Sequence, residues 1–374
     1  MNVNKLLPGM VLGTDVYNMN DQLILPEGLV LNERAIEKLK FYDINYVNIK
    51  DADPSIEEEE EEGSYAARLR ATPEFKQFKQ EFEQAVGEMS RMVTDVVLRN
   101  APLDSEKLVS DALRMLHPPT GDINVFDMVH NMRAYDDITF AHSMNVGLIC
   151  NVFAGWMGFN EEEQRLATEC GILHDIGKLK ISESIIKKPK KLTEAEYLVV
   201  KTHPTEGYKI LQRYDVSEHV KNAALMHHER ADGSGYPLGL VSNQIDKYAK
   251  MVAIADVYEA MTATRNYRGS LCPFTVIEAF EEEGLQKYDT QMIMTFLENI
   301  VNTYMLNRVG LSNGMSGDII FINKQRLSHR PVASSLELTS SKRASSSSSL
   351  SSSLSIDFKS PTDFTLIENS LWLS

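Results

Sequence analysis

The sequence predicts a mainly α-helical protein, with a small α+β module ahead of the helices and short strands behind them. Three observations carry this prediction. Apolar residues recur at helical spacing from Pro73 to Leu116, and a second helical region, punctuated by Gly and Pro, runs from about Asp122 to Tyr304. β-prone runs are confined to positions 11–49 and to the stretch after Tyr304. With 374 residues, 43% hydrophobic and 24% charged, the chain is neither a disulfide mini-protein nor a fully disordered one, and has room for two or three folding units.

Each element follows in order. Within residues 1–52, short β-prone pieces (Val11 to Tyr17, Leu29 to Leu31, Tyr46 to Ile49) surround Asn32 to Lys40, whose apolar positions fit a helix. Residues 53–72 read as an acidic linker, because Glu57 to Glu62 is a block of like charge that stays solvated. Residues 73–121 read as one long amphipathic helical segment carried by Phe75, Phe78, Phe82, Val86, Met89, Val93 and Val97. Residues 122–306 hold nearly all the histidines of chemical interest. Residues 307–374 open with a strand-like Gly317 to Asn323, and the serine tract between Ser334 and Ser355 is too poor in apolar residues to pack, so a flexible insert is expected there.

Charge and cysteine usage narrow the function classes. Lys+Arg 38 against Asp+Glu 53 gives a net charge of −15, which disfavours coating of DNA or RNA. The three cysteines, Cys150, Cys170 and Cys272, form neither a disulfide framework nor a thiolate zinc site, which fits a reducing cytoplasm. The N-terminus lacks the apolar core of a signal peptide, and the apolar stretch Met144 to Phe159 is interrupted by Asn145 and Asn151, so a soluble protein with no membrane partner is expected.

The chemistry sits in the histidines. Five of nine, His142, His174, His203, His227 and His228, fall within the second helical region in chemically pointed company. His174 is followed by Asp175 at what reads as the end of a buried helix, with Gly177 fitting its terminus. Such a pair can present an imidazole and a two-oxygen carboxylate to one cavity. His142 lies among packing residues, His203 precedes Pro204 at what reads as the close of the helix Glu194 to Thr202, and His227-His228 closes a helix starting near Ser217. Asp256 stands among apolar neighbours that demand a metal or a cationic partner for its charge. His117, His130, His219 and His329 read as ordinary core or surface histidines, and Cys170 as a small buried hydrophobe.

His174-Asp175 with Gly177-Lys178, His203-Pro204, His227-His228-Glu229, Asp232-Gly-Ser-Gly-Tyr-Pro237, and Asp256 with Arg265-Asn-Tyr-Arg268 resemble the ordered motifs of the HD-GYP domain, a branch of the HD metal-dependent phosphohydrolases. The first fifty residues, from Leu7-Pro8-Gly9-Met10, also resemble a small module found ahead of this domain. The resemblance implies an HD-type helical bundle and hydrolysis of cyclic di-GMP, a bacterial second messenger, to pGpG or on to GMP, by a hydroxide bridging two metal ions. Carried over residue by residue, it implies that His142, His174, Asp175 and Asp256 hold one ion and His203, His227 and His228 the other, with Asp175 bridging. The donor mixture of imidazoles and carboxylates without thiolate favours iron or manganese, with zinc also compatible. Lys178 would steady the attacked phosphate, Gly235, Tyr236 and Pro237 would form a substrate-facing turn, and Arg265 and Arg268 would clamp the substrate.

Two departures accompany the likeness. Some members place a glutamate one helical turn before the first histidine to help hold a third metal, whereas this chain has Ile138, so a binuclear centre is expected. Lys190 stands where glycine is usual, and with Lys187, Lys188 and Lys191 it makes a basic strip able to draw in an anion. Beside the enzyme stand two other readings: a catalytically silent cyclic di-GMP receptor, and a phosphohydrolase acting on another cyclic dinucleotide or nucleotide. The N-terminal module would dock a signalling partner or regulate, and a homodimer is compatible with the sequence.

Overall fold

In the computed structural model the described residues are 3, 6, 9–17, 23–41, 44, 47–50, 65–116, 125–132, 138–186, 188, 192–262, 273–303, 308–310, 316–321, 332–336 and 354–355. The described residues divide into two compact units, the first reaching up to Ala67 and the second starting at Arg68.

In the first unit, β1 (Val11–Leu12) pairs antiparallel with β4 (Ile49–Lys50), and β2 (Val16–Tyr17) with β3 (Leu23–Leu25). Helix α1 (Glu33–Phe41) turns Ala35, Ile36 and Leu39 inward, a 3.6-residue stripe that shares a core with Leu12, Ile24 and Leu31. Asn32 caps it, its Oδ1 accepting from the Ala35 amide at 2.8 Å.

Glu57 to Glu62 lie outside the described residues, but the expected linker ends in structure: Tyr65–Ala71 forms helix α2, with Leu69 buried. The charge run is over by then, and an Ala-Ala-Arg-Leu-Arg-Ala sequence has good helix propensity. The long amphipathic segment is two helices, α3 (Pro73–Arg99) and α4 (Ser105–Met115). Thr72 caps α3 through the Phe75 amide, and Pro73 occupies the first turn, where a missing N–H costs nothing. Asn100 ends it in a left-handed conformation, φ 54°, and Pro102 follows before Asp104 caps α4.

The core of the second unit is formed by α6 (Ile138–Trp156), α7 (Glu161–Leu173), α10 (His203–Leu211), α11 (Glu218–Met226) and α12 (Lys247–Thr262). Asn160 and Glu163 form a capping box that starts α7. Helix α12 is buried from Met251 to Thr262 without a polar face, which marks it as the central helix. Helix α5 (Val125–Asn131) and α15 (Thr290–Thr303) join this core through rings: Phe126 stacks on Trp156 at 5.3 Å, and Phe296 meets Phe153 and Tyr258 edge-on at 5.0 and 5.1 Å. Shorter helices, α8 (Glu183–Ile186), α9 (Glu194–Val200), α13 (Pro273–Ala279) and α14 (Leu285–Lys287), with a π-turn at Phe280–Gly284, complete the helical part. The last described residues form an antiparallel sheet ordered β5 (Arg308–Gly310), β6 (Ser316–Phe321), β7 (Val332–Leu336) and β8 (Leu354–Ser355). Ser334 and Ser335 belong to β7, and the serine tract from 337 to 353 lies outside the described residues. Among the described residues, no helix is long and apolar enough to cross a membrane.

Candidate metal centre

His142 comes from the second turn of α6 and Asp256 from the middle of α12. His174 caps the C-terminus of α7, Asp175 follows it, and Lys178 lies in the 3-10 turn Ile176–Lys180. His203 does not close a helix as its sequence implied. Helix α9 ends at Val200, and His203 opens α10 with Pro204 in the first turn, where proline is at home. His227 caps the C-terminus of α11, and His228 follows.

Gly177 also has a different role from the expected helix end. It sits inside the 3-10 turn, and a Cβ there would lie 2.0 Å from the His203 carbonyl oxygen and 2.5 Å from the Gly207 amide nitrogen. Only glycine lets the turn bearing Asp175 and Lys178 touch the start of α10.

These segments bring all seven proposed ligands together, and every one is buried. His142 Nε2 lies 3.0 Å from Asp256 Oδ1 and 3.6 Å from Asp175 Oδ2, and His174 Nε2 lies 3.2 Å from the same Asp175 oxygen. On the other side, Asp175 Oδ1 is 3.3 Å from His203 Nε2 and 3.7 Å from His227 Nε2. Two groups have ligand atoms close enough to share an ion: His142, His174 and Asp175, and His203, His227 and His228.

The tautomers show what these atoms need. A carbonyl oxygen can only accept, so a ring nitrogen against one must carry the proton. Nδ1 of His174 donates to Gly171 O at 2.7 Å, Nδ1 of His203 to Val200 O at 2.7 Å, and Nδ1 of His227 to Ala223 O at 3.0 Å. Burial pushes His203 down and His227 well down from the usual imidazole range, which keeps both neutral. Their Nε2 lone pairs therefore face each other at 3.2 Å. His174 Nε2 and Asp175 Oδ1 are fully buried without a hydrogen-bond partner. Lone pairs converging from several sides are satisfied by a cation, and neutral imidazole with carboxylate is a donor set for divalent transition metals.

The carboxylates remain ionised. Burial opposes the charge on Asp175, but His174 and Lys178 outweigh it and hold the group well below the ordinary carboxylate range. Burial also works against Asp256, which His142 nevertheless holds below that range. Burial disfavours a charged His142 as well, yet Glu259 and Asp256 push it up to about 9. Lys178 Nζ lies 2.8 Å from Asp175 Oδ2.

The loop Asp232 to Pro237 packs back on the centre. A Cβ at Gly235 would come within 2.4 Å of the Arg230 amide nitrogen and the Glu229 Cα, so the loop can lie against this backbone only with glycine there. One face of Tyr236 is taken by His228, the rings stacked at 4.8 Å and 18°, so the ring is engaged inside the protein. Lys201 Nζ lies over the Tyr236 ring at 4.6 Å. Arg265, Arg268, Lys187, Lys190 and Lys191 lie outside the described residues, as does the side chain of Ile138. Lys188 is paired with Glu196 at 2.6 Å.

Sequence reasoning assigned no role at the centre to two carboxylates, Glu229 of the quoted motif and Glu259. Buried Glu229 accepts from the Leu238 and Leu240 amides at 2.7 and 2.9 Å and ties down the loop. Glu259, three residues after Asp256, reaches His142 Nδ1 at 2.5 Å. A charged residue one turn along from Asp256 in an otherwise apolar helix was the available signal.

Residues 131–292 match the model of a protein family described as HD domain. A 3'3'-cGAMP-specific phosphodiesterase of Vibrio cholerae is 38% identical over 181 residues, 48% of this chain and 42% of that protein. A cyclic di-GMP phosphodiesterase of Pseudomonas aeruginosa is 39% identical over 170 residues, 45% of this chain and 41% of that protein. The chain thus spans less than half the length of these curated relatives. A solved structure of an HDG"Y"P protein from Bdellovibrio bacteriovorus aligns at 18% identity with a TM-score of 0.48, over 80% of this chain and 98% of that one.

Proposed function

We propose, from the match of residues 131–292 to the HD domain family, that the chain is a metal-dependent phosphodiesterase that opens cyclic di-GMP to pGpG. The observation that carries the metal chemistry is the convergence of the buried Nε2 atoms of His203 and His227, 3.2 Å apart, beside an Asp175 whose two oxygens face the two ligand groups. In this reading His142, His174, Asp175 and Asp256 hold one ion, His203, His227 and His228 the other, and Asp175 serves both. Two divalent ions, iron or manganese by the donor set, would polarise the phosphate oxygens and acidify the attacking water.

The chain's own groups do the rest. Burial of the imidazoles excludes bulk water and strengthens every charge interaction at the centre. Lys178, held at Asp175, offers its ammonium to charge developing on the phosphoryl oxygens. Gly235, Tyr236 and Pro237 form one wall, positioned through Glu229. Arg265 and Arg268, assigned from the sequence, clamp the phosphates as guanidinium forks.

A second substrate, 3'3'-cGAMP, is favoured by the likeness to the Vibrio phosphodiesterase specific for it. Metal content and turnover of both dinucleotides, measured on one anaerobically purified sample, test the proposal. Two ions per chain with release of a linear dinucleotide from cyclic di-GMP are expected. Faster release from 3'3'-cGAMP would move the substrate assignment, and full metal occupancy with tight binding but no turnover would make the chain a receptor.

A further inference from the structure

His142 differs from the other imidazoles of the centre in what holds its Nδ1. His174, His203 and His227 give that proton to backbone carbonyls. His142 Nδ1 instead meets Glu259 Oε2 at 2.5 Å, while Glu259 Oε1 accepts from Asn145 Nδ2 at 2.9 Å. The four residues form two pairs at i, i+3 spacing on facing helices, His142 with Asn145 on α6 and Asp256 with Glu259 on α12. Glu259 is 4% exposed. A carboxylate so far from water carries a desolvation cost of several kcal/mol, and for packing alone an apolar side chain of similar volume would serve as well.

From this geometry we infer that Glu259 is a positioning residue for the metal centre: it fixes His142 in the Nδ1–H tautomer, aims Nε2 at Asp256 and Asp175, and by its charge strengthens Nε2 as a donor. The inference rests on the metal reading proposed above. It also makes the two ligand groups unequal. Asp175, Asp256 and Glu259 gather negative charge around His142 and His174, whereas the other group adds only imidazoles. Carboxylates that orient a ligating histidine are commonly worth roughly 10–100-fold in metal affinity.

The test is a Mn²⁺ titration of the metal-stripped full chain, read by calorimetry and by the electron paramagnetic resonance of free Mn²⁺, for the parent, Glu259→Gln and Glu259→Ala. The glutamine keeps the shape and can still accept the His142 proton if the Asn145 amide turns over, so it removes the charge while retaining the contact. It also carries the test if the alanine variant does not fold. The parent should bind in two steps. Glu259→Ala should weaken one step by roughly 10–100-fold and leave the other within about twofold, and Glu259→Gln should recover part of that loss. Parental affinity at both steps in both variants overturns the inference, as does equal weakening of both steps by Glu259→Gln alongside a lower Tm, which would mark a merely structural role. A parent chain that binds Mn²⁺ in neither step overturns the metal reading itself, a result distinct from either of these.

Discussion

His142, His174, Asp175 and Asp256 on one side, and His203, His227 and His228 on the other, are delivered by the backbone in different ways. His142 and Asp256 project from within two long helices, so their placement depends on how α6 and α12 pack. His203 and His227 stand at helix termini. Their Nδ1 protons go to Val200, Ala223 and Ala224, carbonyls of the last helical turns, where Ala223 O also accepts from the His227 amide at 3.1 Å. His142 is therefore oriented by a side-chain carboxylate in the group that carries charge, whereas His174, like His203 and His227 of the neutral group, is oriented by a backbone carbonyl at a helix end. The difference teaches that a helix end supplies an imidazole with a ready acceptor, whereas an imidazole inside a helix, as His142 is, takes one from a second helix.

The largest expected effect comes from removing what the two groups share. Asp175→Ala should lose both ions and all hydrolysis, and elemental analysis showing near-full occupancy in that variant would end the bridging assignment. Next come variants confined to one group. Asp256→Ala and His227→Ala should each retain about one ion per chain in different surroundings, distinguishable by Mn²⁺ spectroscopy, because the donors of the untouched group remain complete. Identical signals from the two would show that the groups are not separate.

Acidity separates the groups in the metal-stripped protein. The folded-state pKa of His142, raised to about 9, contributes stability that is fully present below pH 6.5 and lost as pH rises through 9. A shift of that size corresponds to about 3 kcal/mol. His203, His227 and His228 are lowered, burial being the first cause of each. The unfolded chain binds protons on them near pH 6.5 that the native state refuses, so stability falls as pH drops below that value. Thermal melts from pH 5 to 10 should show Tm declining at both ends, and Glu259→Gln should flatten only the alkaline limb. The smallest effect is expected at the loop. Glu229→Gln leaves one of two amide contacts poorly satisfied, which should cost roughly 1–2 kcal/mol with both ions retained. Loss of metal in that variant would tie the loop to the imidazole group more tightly than its hydrogen bonds indicate.

The residues that meet at the centre were legible in the sequence because their types are rare inside apolar helices and their neighbours carry turn signals. Glu259 was not, since glutamate in a helix ordinarily faces water, and only the fold shows that α6 lies opposite it. Pro204 reads equally as a stop after one helix or as a first-turn residue of the next, and the chain takes the second. The split between α3 and α4 was signalled by Asn100 and Pro102, but the apolar stripe runs through both helices, and periodicity alone cannot see a break that keeps its phase.

Gly177 places a limit on how this protein can change. The atoms a side chain there would strike, His203 O and Gly207 N, belong to the main chain. Main-chain atoms are the same whatever residue is encoded, so no second substitution at those positions could make room, and relief would require α10 itself to move. Moving α10 would carry His203 away from Asp175. The position is thus closed to drift by pairs of compensating mutations, and the separation of the two ligand groups is inherited from a contact between two stretches of backbone, beyond the reach of side-chain repacking.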